Sequence, residues 1–148
     1  MKTIQVAVTA LMGLTVALVT LPAAAMDVDA LVQKRQQAFK QNKKDAQRIK
    51  AALGSGDMQA VREAALRIAA WAKEMPAAFP PDSNPPPSDA RDDSWLNWEG
   101  FKQKAEDNRK AAQALADAVE QKAGADTLKV RFGALGQSCK ACHDNFKN

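Results

Sequence analysis

Four blocks of apolar residues at helical spacing, separated by three breaks, constrain this 148-residue chain more than any other feature. The first block runs through Val28, Leu31, Val32, Ala38-Phe39, Ala46, Ile49 and Leu53, and Gly54-Ser55-Gly56 ends it. Asp57 is placed to cap the second, which carries Val61, Ala64-Ala65, Ile68, Ala69, Ala72 and Met75 until Pro76 stops it. Residues 76–93 hold six of the seven prolines and almost no periodicity, so they read as a long loop: a crossover or a functional lid. Ser94 is positioned to cap a third block with Trp95, Trp98, Phe101, Ala105, Ala112, Leu115 and Val119. Gly124 closes that block, and Asp126 begins a fourth with Leu128, Phe132, Leu135, Cys139, Cys142 and Phe146. No stretch shows sustained alternation, so no strands are expected. Aromatics are only 5% and Tyr is absent, which argues further against a sandwich or barrel. The expected fold is all-α, an antiparallel four-helix bundle in one domain. Its alanine-rich inner faces would pack thinly and leave volume for something else to fill.

The first 25 residues lie outside this pattern. Met1-Lys2 is a short positive start, Thr3 to Ala25 carries no charge, and Ala23-Ala24-Ala25 offers the small residues of a cleavage site. An uncleaved anchor is the competing reading, since the uncharged stretch could just span a bilayer. Pro22, the small-residue end and the lack of positive charge downstream oppose it. Residues 1–25 therefore read as a cleaved signal peptide and residues 26–148 as the exported bundle, most simply periplasmic and with no membrane segment. Cleavage removes Lys2 and lowers the formal charge from +4 to +3, well short of a nucleic-acid-binding surface.

The chain has two Cys and one His, and all three fall in Cys139-Lys140-Ala141-Cys142-His143. C-x-x-C-H is the attachment signature of c-type haem. On a helix Cys139 and Cys142 are three apart and His143 four beyond Cys139, so the side chains rise from one stripe. Two thiols can then add to the vinyl groups on one porphyrin edge, with the imidazole as proximal iron ligand. Other readings lack partners. A zinc site wants four ligands, and no third Cys or second His exists. A thioredoxin-like dithiol wants a βαβ context. A disulfide across one helical turn would constrain little.

A C-terminal C-x-x-C-H on the fourth helix of an exported bundle resembles the class II c-type cytochromes, the cytochrome c′ family. The resemblance covers nearly all of residues 26–148. It extends to Arg35-Gln36-Gln37-Ala38-Phe39, which is similar to the family's R-x-x-x-[M/L/F] segment, to Asp89-Ala90-Arg91, to Phe101-Lys102-Gln103-Lys104 and to Cys139 through Phe146. It implies a left-handed bundle with one covalent haem c, often dimeric through the first two helices, so a homodimer is expected.

The same resemblance puts the residue four after Arg35 over the distal face of the haem. Low-spin relatives similar to cytochrome c556 have Met there; this chain has Phe39, which offers no lone pair. Spacing alone leaves Phe39 equally readable as plain core. With the resemblance it becomes the wall of an open, five-coordinate, high-spin site that binds NO and CO and lacks a donor for O₂. Met26 or another, unexpected ligand is left for a six-coordinate low-spin alternative, while Met58 and Met75 read as gap-filling core. The resemblance also assigns Arg35 and Gln36 to haem contacts, Arg35 to a propionate, and Asp89 to a haem-contacting loop. A surface-snorkelling Arg35 fits the spacing equally well. Where the family often has Arg four after the His, this chain has Lys147. Gly133 and Gly136 would let haem or a neighbouring helix come close, and Trp95 and Trp98 read as core or haem-edge packing.

Electron transfer, diatomic-gas binding, and NO scavenging or gas sensing without an electron partner are the functional readings this leaves. Catalysis is not expected, since a peroxidase would want a distal acid–base group and no second His exists. Lys34, Arg35, Lys40, Lys43, Lys44, Arg48 and Lys50 crowd the first helix against Asp45. They read as a solvated face, or as a docking site for an acidic redox partner.

Overall fold

The computed structural model describes residues 27–148; the segment expected to be a signal peptide, residues 1–25, and Met26 lie outside them. The four apolar blocks fold as four long helices: α1 (Val28–Ser55), α2 (Met58–Glu74), α4 (Trp98–Glu120) and α5 (Ala125–Phe146). A single-turn α3 (Asp93–Leu96) precedes α4, and a 3₁₀ turn (Met75–Ala78) follows α2. Among the described residues there is no strand, only an isolated bridge between Ala90 and Lys147.

Local chemistry accounts for the helix ends. The Asp27 carboxylate accepts from the Ala30 amide at 2.9 Å and starts α1. Gly56, at φ 82°, ends α1 in the left-handed conformation that a side chain would resist. Asp57 immediately caps α2 through the Ala60 amide at 3.0 Å, which makes α1 and α2 a tight hairpin.

The third block departs from expectation. Ser94 does not cap a long helix. It is buried in α3, and its hydroxyl donates to the Phe146 carbonyl at 3.4 Å. The long helix starts only after Asn97, whose side chain accepts from the Gly100 amide at 3.2 Å. Asn97 breaks the helix because its amide competes for local backbone groups, as short polar side chains do at caps.

Around the bundle α2 packs on α1 and α4, and α4 on α5, while α1 and α5 meet at few points. The buried interior falls into two clusters. One joins all four long helices through residues such as Ile49, Val61, Ile68, Leu115 and Leu135. The other is aromatic, built on Trp71, Met75, Phe79, Phe101 and Phe146. Nearly half of the buried apolar residues are alanines, so the inner faces present little side-chain volume. Met75 lies within the second cluster and Met58 against the first, as gap-filling core residues should.

Asp45 does not face the cations of its own helix. It is buried and receives Arg67 of α2 through Nη2 at 2.6 Å and Nε at 3.0 Å, with Gln41 adding a third bond.

Candidate functional site

α5 alternates its inward residues at three and four: Leu128, Phe132, Leu135, Cys139, Cys142, Phe146. That stripe puts both cysteines on the inward side and half-buried, with His143 exposed beside them. The two thiols meet different surroundings. Cys139 packs against the all-helix cluster and Cys142 against the aromatic one, so the motif straddles the boundary between the two. Burial raises the pKa of both thiols, that of Cys142 to about 11, with the Cys139 charge adding to the effect and Lys104 opposing it. Burial and then the Lys147 charge lower the pKa of His143, partly offset by Asp144, which favours the neutral imidazole that a metal requires.

A residue the sequence reading passed over supports Cys139. Asn108 on α4 is buried and donates to Ser138 Oγ at 2.9 Å and to Cys139 Sγ at 3.4 Å. Its signal was visible as a polar residue on the stripe of Ala105 and Ala112. A second missed residue is Trp71 of α2, whose ring meets Phe39 edge-to-face at 5.7 Å between centroids.

The residues drawn from α1 and the loop are brought to one end of the bundle without converging on one atom. Arg35 is 3% exposed, which corrects the surface-snorkelling alternative. Its guanidinium donates to the Ser83 carbonyl at 2.6 Å, Ser83 Oγ at 3.2 Å and the Ala78 carbonyl at 3.4 Å, and lies over the Phe79 ring. Burial alone lowers its pKa, for no carboxylate pairs with it among the described residues. Gln36 reaches the Pro87 carbonyl at 3.4 Å. Both therefore hold the proline-rich loop, which Trp95 also grips through the Pro80 carbonyl at 2.8 Å.

The far end of that loop clasps the end of α5. The Arg91 amide donates to the Phe146 carbonyl, and the Asn148 amide donates to the Asp89 carbonyl. The Asp89 carboxylate is exposed and pairs with Lys147 at 3.7 Å. Trp95 and Trp98 pack against the aromatic cluster, Trp98 stacked on Phe101. Gly133 and Gly136 are exposed, and an added Cβ at either would meet no heavy atom within 4 Å, so close helix packing is not their role.

Chemically the donor set suits a flat, covalently held group better than a bare ion. Among the described residues no group of three or more His, Cys, Asp or Glu side chains is placed to hold a metal. A porphyrin needs one imidazole and two thiols along an edge, which the α5 stripe supplies. It also needs a partner for its carboxylates, and Arg35 is a buried cation with no carboxylate paired to it.

The family model for cytochrome c′ matches residues 30–147. A cytochrome c′ of Pararhodospirillum photometricum is 33% identical over 125 residues, covering 80% of this chain and 97% of its own. Those of Halomonas halodenitrificans and Alcaligenes xylosoxydans are 38% and 40% identical over shorter segments, and the chain spans about half the length of each. Among solved structures, the cytochrome c′ of Thermochromatium tepidum is 29% identical with a TM-score of 0.74, covering 84% of this chain and 98% of that one. A cytochrome c′ with ligand-controlled dimer dissociation is 27% identical with a TM-score of 0.75 and the same coverage. A nitric oxide complex of a cytochrome c′ variant from Alcaligenes xylosoxidans is 26% identical with a TM-score of 0.72, covering 82% of this chain and 96% of that one.

Proposed function

Because this chain belongs to the cytochrome c′ family, a family of c-type haem proteins, we propose that it carries one haem c, binds diatomic gases and exchanges single electrons in the periplasm. The observation that carries the reading is the α5 stripe, with Cys139 and Cys142 turned inward onto two different clusters and His143 beside them. When bound, the haem would supply one-electron chemistry and an iron able to take a small ligand.

The chain's own residues then have defined work. Cys139 and Cys142 would anchor the group by thioethers, and His143 would hold its iron. Gly136 shares the angular position of His143 to within about 20° and is exposed, so no Cβ would crowd the group on that side of α5. Arg35 would balance a carboxylate of the group while its guanidinium holds Ser83 and Ala78, and Gln36 and Asp89 keep the loop and the α5 terminus in register around it. Phe39, on the helix that barely touches α5, forms the wall of a five-coordinate distal site. Its ring excludes water and anions while admitting neutral NO and CO.

The relative with ligand-controlled dimer dissociation and the nitric oxide complex support a gas-binding homodimer here. This assigns binding and electron transfer, not catalysis, to the site. Optical spectra of the haem-matured protein test it. Broad high-spin bands in both oxidation states, moving promptly on NO addition, are the expected result. Sharp low-spin bands that resist NO would mean a sixth protein ligand and a six-coordinate electron carrier.

A further inference from the structure

Trp71 is 8% exposed and its indole Nε1 has no hydrogen-bond partner, although buried donors are nearly always satisfied. It sits in the aromatic cluster against which Cys142 and Phe39 also pack, with its ring edge-to-face against that of Phe39. An unmet donor costs stability, so its presence in the wall of a ligand site asks for an acceptor.

Two acceptors could enter this region: a porphyrin carboxylate, or the outer atom of a ligand behind Phe39. A haem carries two carboxylates, and the buried Arg35 cation, with no carboxylate paired to it among the described residues, is the stronger partner for them. Arg35 also holds Ala78, at the end of the 3₁₀ turn that follows α2 and seven residues beyond Trp71. Phe39, by contrast, touches the Trp71 ring itself. We propose, resting on the haem reading above, that Trp71 Nε1–H is the distal hydrogen-bond donor of this protein, taking the outer oxygen of a diatomic ligand once Phe39 yields. The pocket would then favour ligands that build negative charge on that oxygen, which revises the expectation of a distal site with no donor.

The test uses the ferrous holoprotein with CO, read by its infrared C–O stretch. A donor on the CO oxygen lowers that frequency, so Trp71→Phe, which keeps a ring and removes the N–H, should raise it. CO should also leave about three- to tenfold faster, as the loss of one hydrogen bond predicts. The unmutated protein gives a second reading that needs no refolding. Transfer to D₂O should shift the band, and the Trp71 indole proton should move downfield when CO binds. A band unmoved by both the substitution and D₂O overturns the proposal. So does an effect of Trp71→Phe confined to the reduction potential and its pH dependence, which would assign the donor to a carboxylate. If the ferrous protein gives no CO band at all, the open distal site itself fails, an outcome distinguishable from the loss of the Trp71 bond alone.

Discussion

Asn108 on α4 donates to Cys139 Sγ on α5 at 3.4 Å, from a side chain only 4% exposed. The same amide donates to Ser138 Oγ, which in turn donates to the Leu135 carbonyl at 2.7 Å. This short chain fixes α5 against α4 one turn before His143. Asn108→Ala should therefore destabilise the protein by about 1–2 kcal/mol, from a lost buried hydrogen bond and a small void. Ser138→Ala should cost less, and the double variant should fall short of additivity by at least about 0.5 kcal/mol. Urea unfolding of the four proteins checks this; strict additivity would show that the two side chains act independently.

Arg67 and Asp45 lock α1 to α2. Asp45 is 2% exposed and Arg67 remains partly in solvent, so removing either partner is unequal in effect. Arg67→Ala leaves a buried carboxylate with only Gln41, and should cost about 3 kcal/mol. Asp45→Asn keeps a hydrogen-bonding group and strands no buried charge, so it should cost clearly less. Thermal unfolding of both variants decides; equal losses would mean that packing, and not the buried charge, dominates.

How much of this was legible beforehand depends on the range of the interaction. The α1–α2 hairpin was readable because Asp57 and Gly56 act on neighbours within one turn, and α5 because its motif and its apolar stripe coincide. The start of α4 was not. Ser94 and Asn97 are both good caps locally, and only the remote Phe146 carbonyl draws Ser94 inward and leaves the capping to Asn97. Asp45 likewise reads as one acid among lysines until α2 brings Arg67 to it. Arg35 reads equally as surface or site in the sequence because its partners, Ala78 and Ser83, lie 43 and 48 residues away in a stretch with no periodicity. Trp71 escaped notice for a different reason. An indole on an apolar stripe reads as volume, and its unmet N–H exists only once the neighbours are known.

The basic face of α1 is smaller than its composition suggests. Arg35 is buried, Lys34 approaches Glu74 at 4.0 Å, and Arg48 approaches Glu63 at 3.6 Å. Lys40, Lys43, Lys44 and Lys50 remain exposed with no ion pair among the described residues. If this patch guides an acidic partner, electron exchange with an anionic oxidant such as ferricyanide should slow steeply as salt rises. Replacing Lys43 and Lys44 by Gln should lower the low-salt rate by about twofold or more and flatten that dependence. Stopped-flow mixing over a range of ionic strength measures both; a rate indifferent to salt removes the docking role.

Phe39 tests the distal assignment directly. It lies on α1, one turn after Arg35, half-buried against Trp71. Replacing it with Met conserves an apolar side chain of comparable length, so the bundle should lose less than about 1.5 kcal/mol. It also offers a thioether where the present ring offers no lone pair. If Phe39 faces the iron, Phe39→Met should convert the broad high-spin spectrum to a sharp low-spin one and slow CO binding, because the ligand must displace sulfur. Phe39→Ala should act in the opposite sense, leaving the spectrum high-spin and speeding CO entry while costing less than the about 3–5 kcal/mol of a fully buried Phe, since the ring is only half-buried beside Trp71. Optical spectra and CO flash photolysis of the two variants give the answer. If both retain the parent spectrum and CO kinetics, Phe39 is ordinary core and the distal wall must be sought elsewhere on α1.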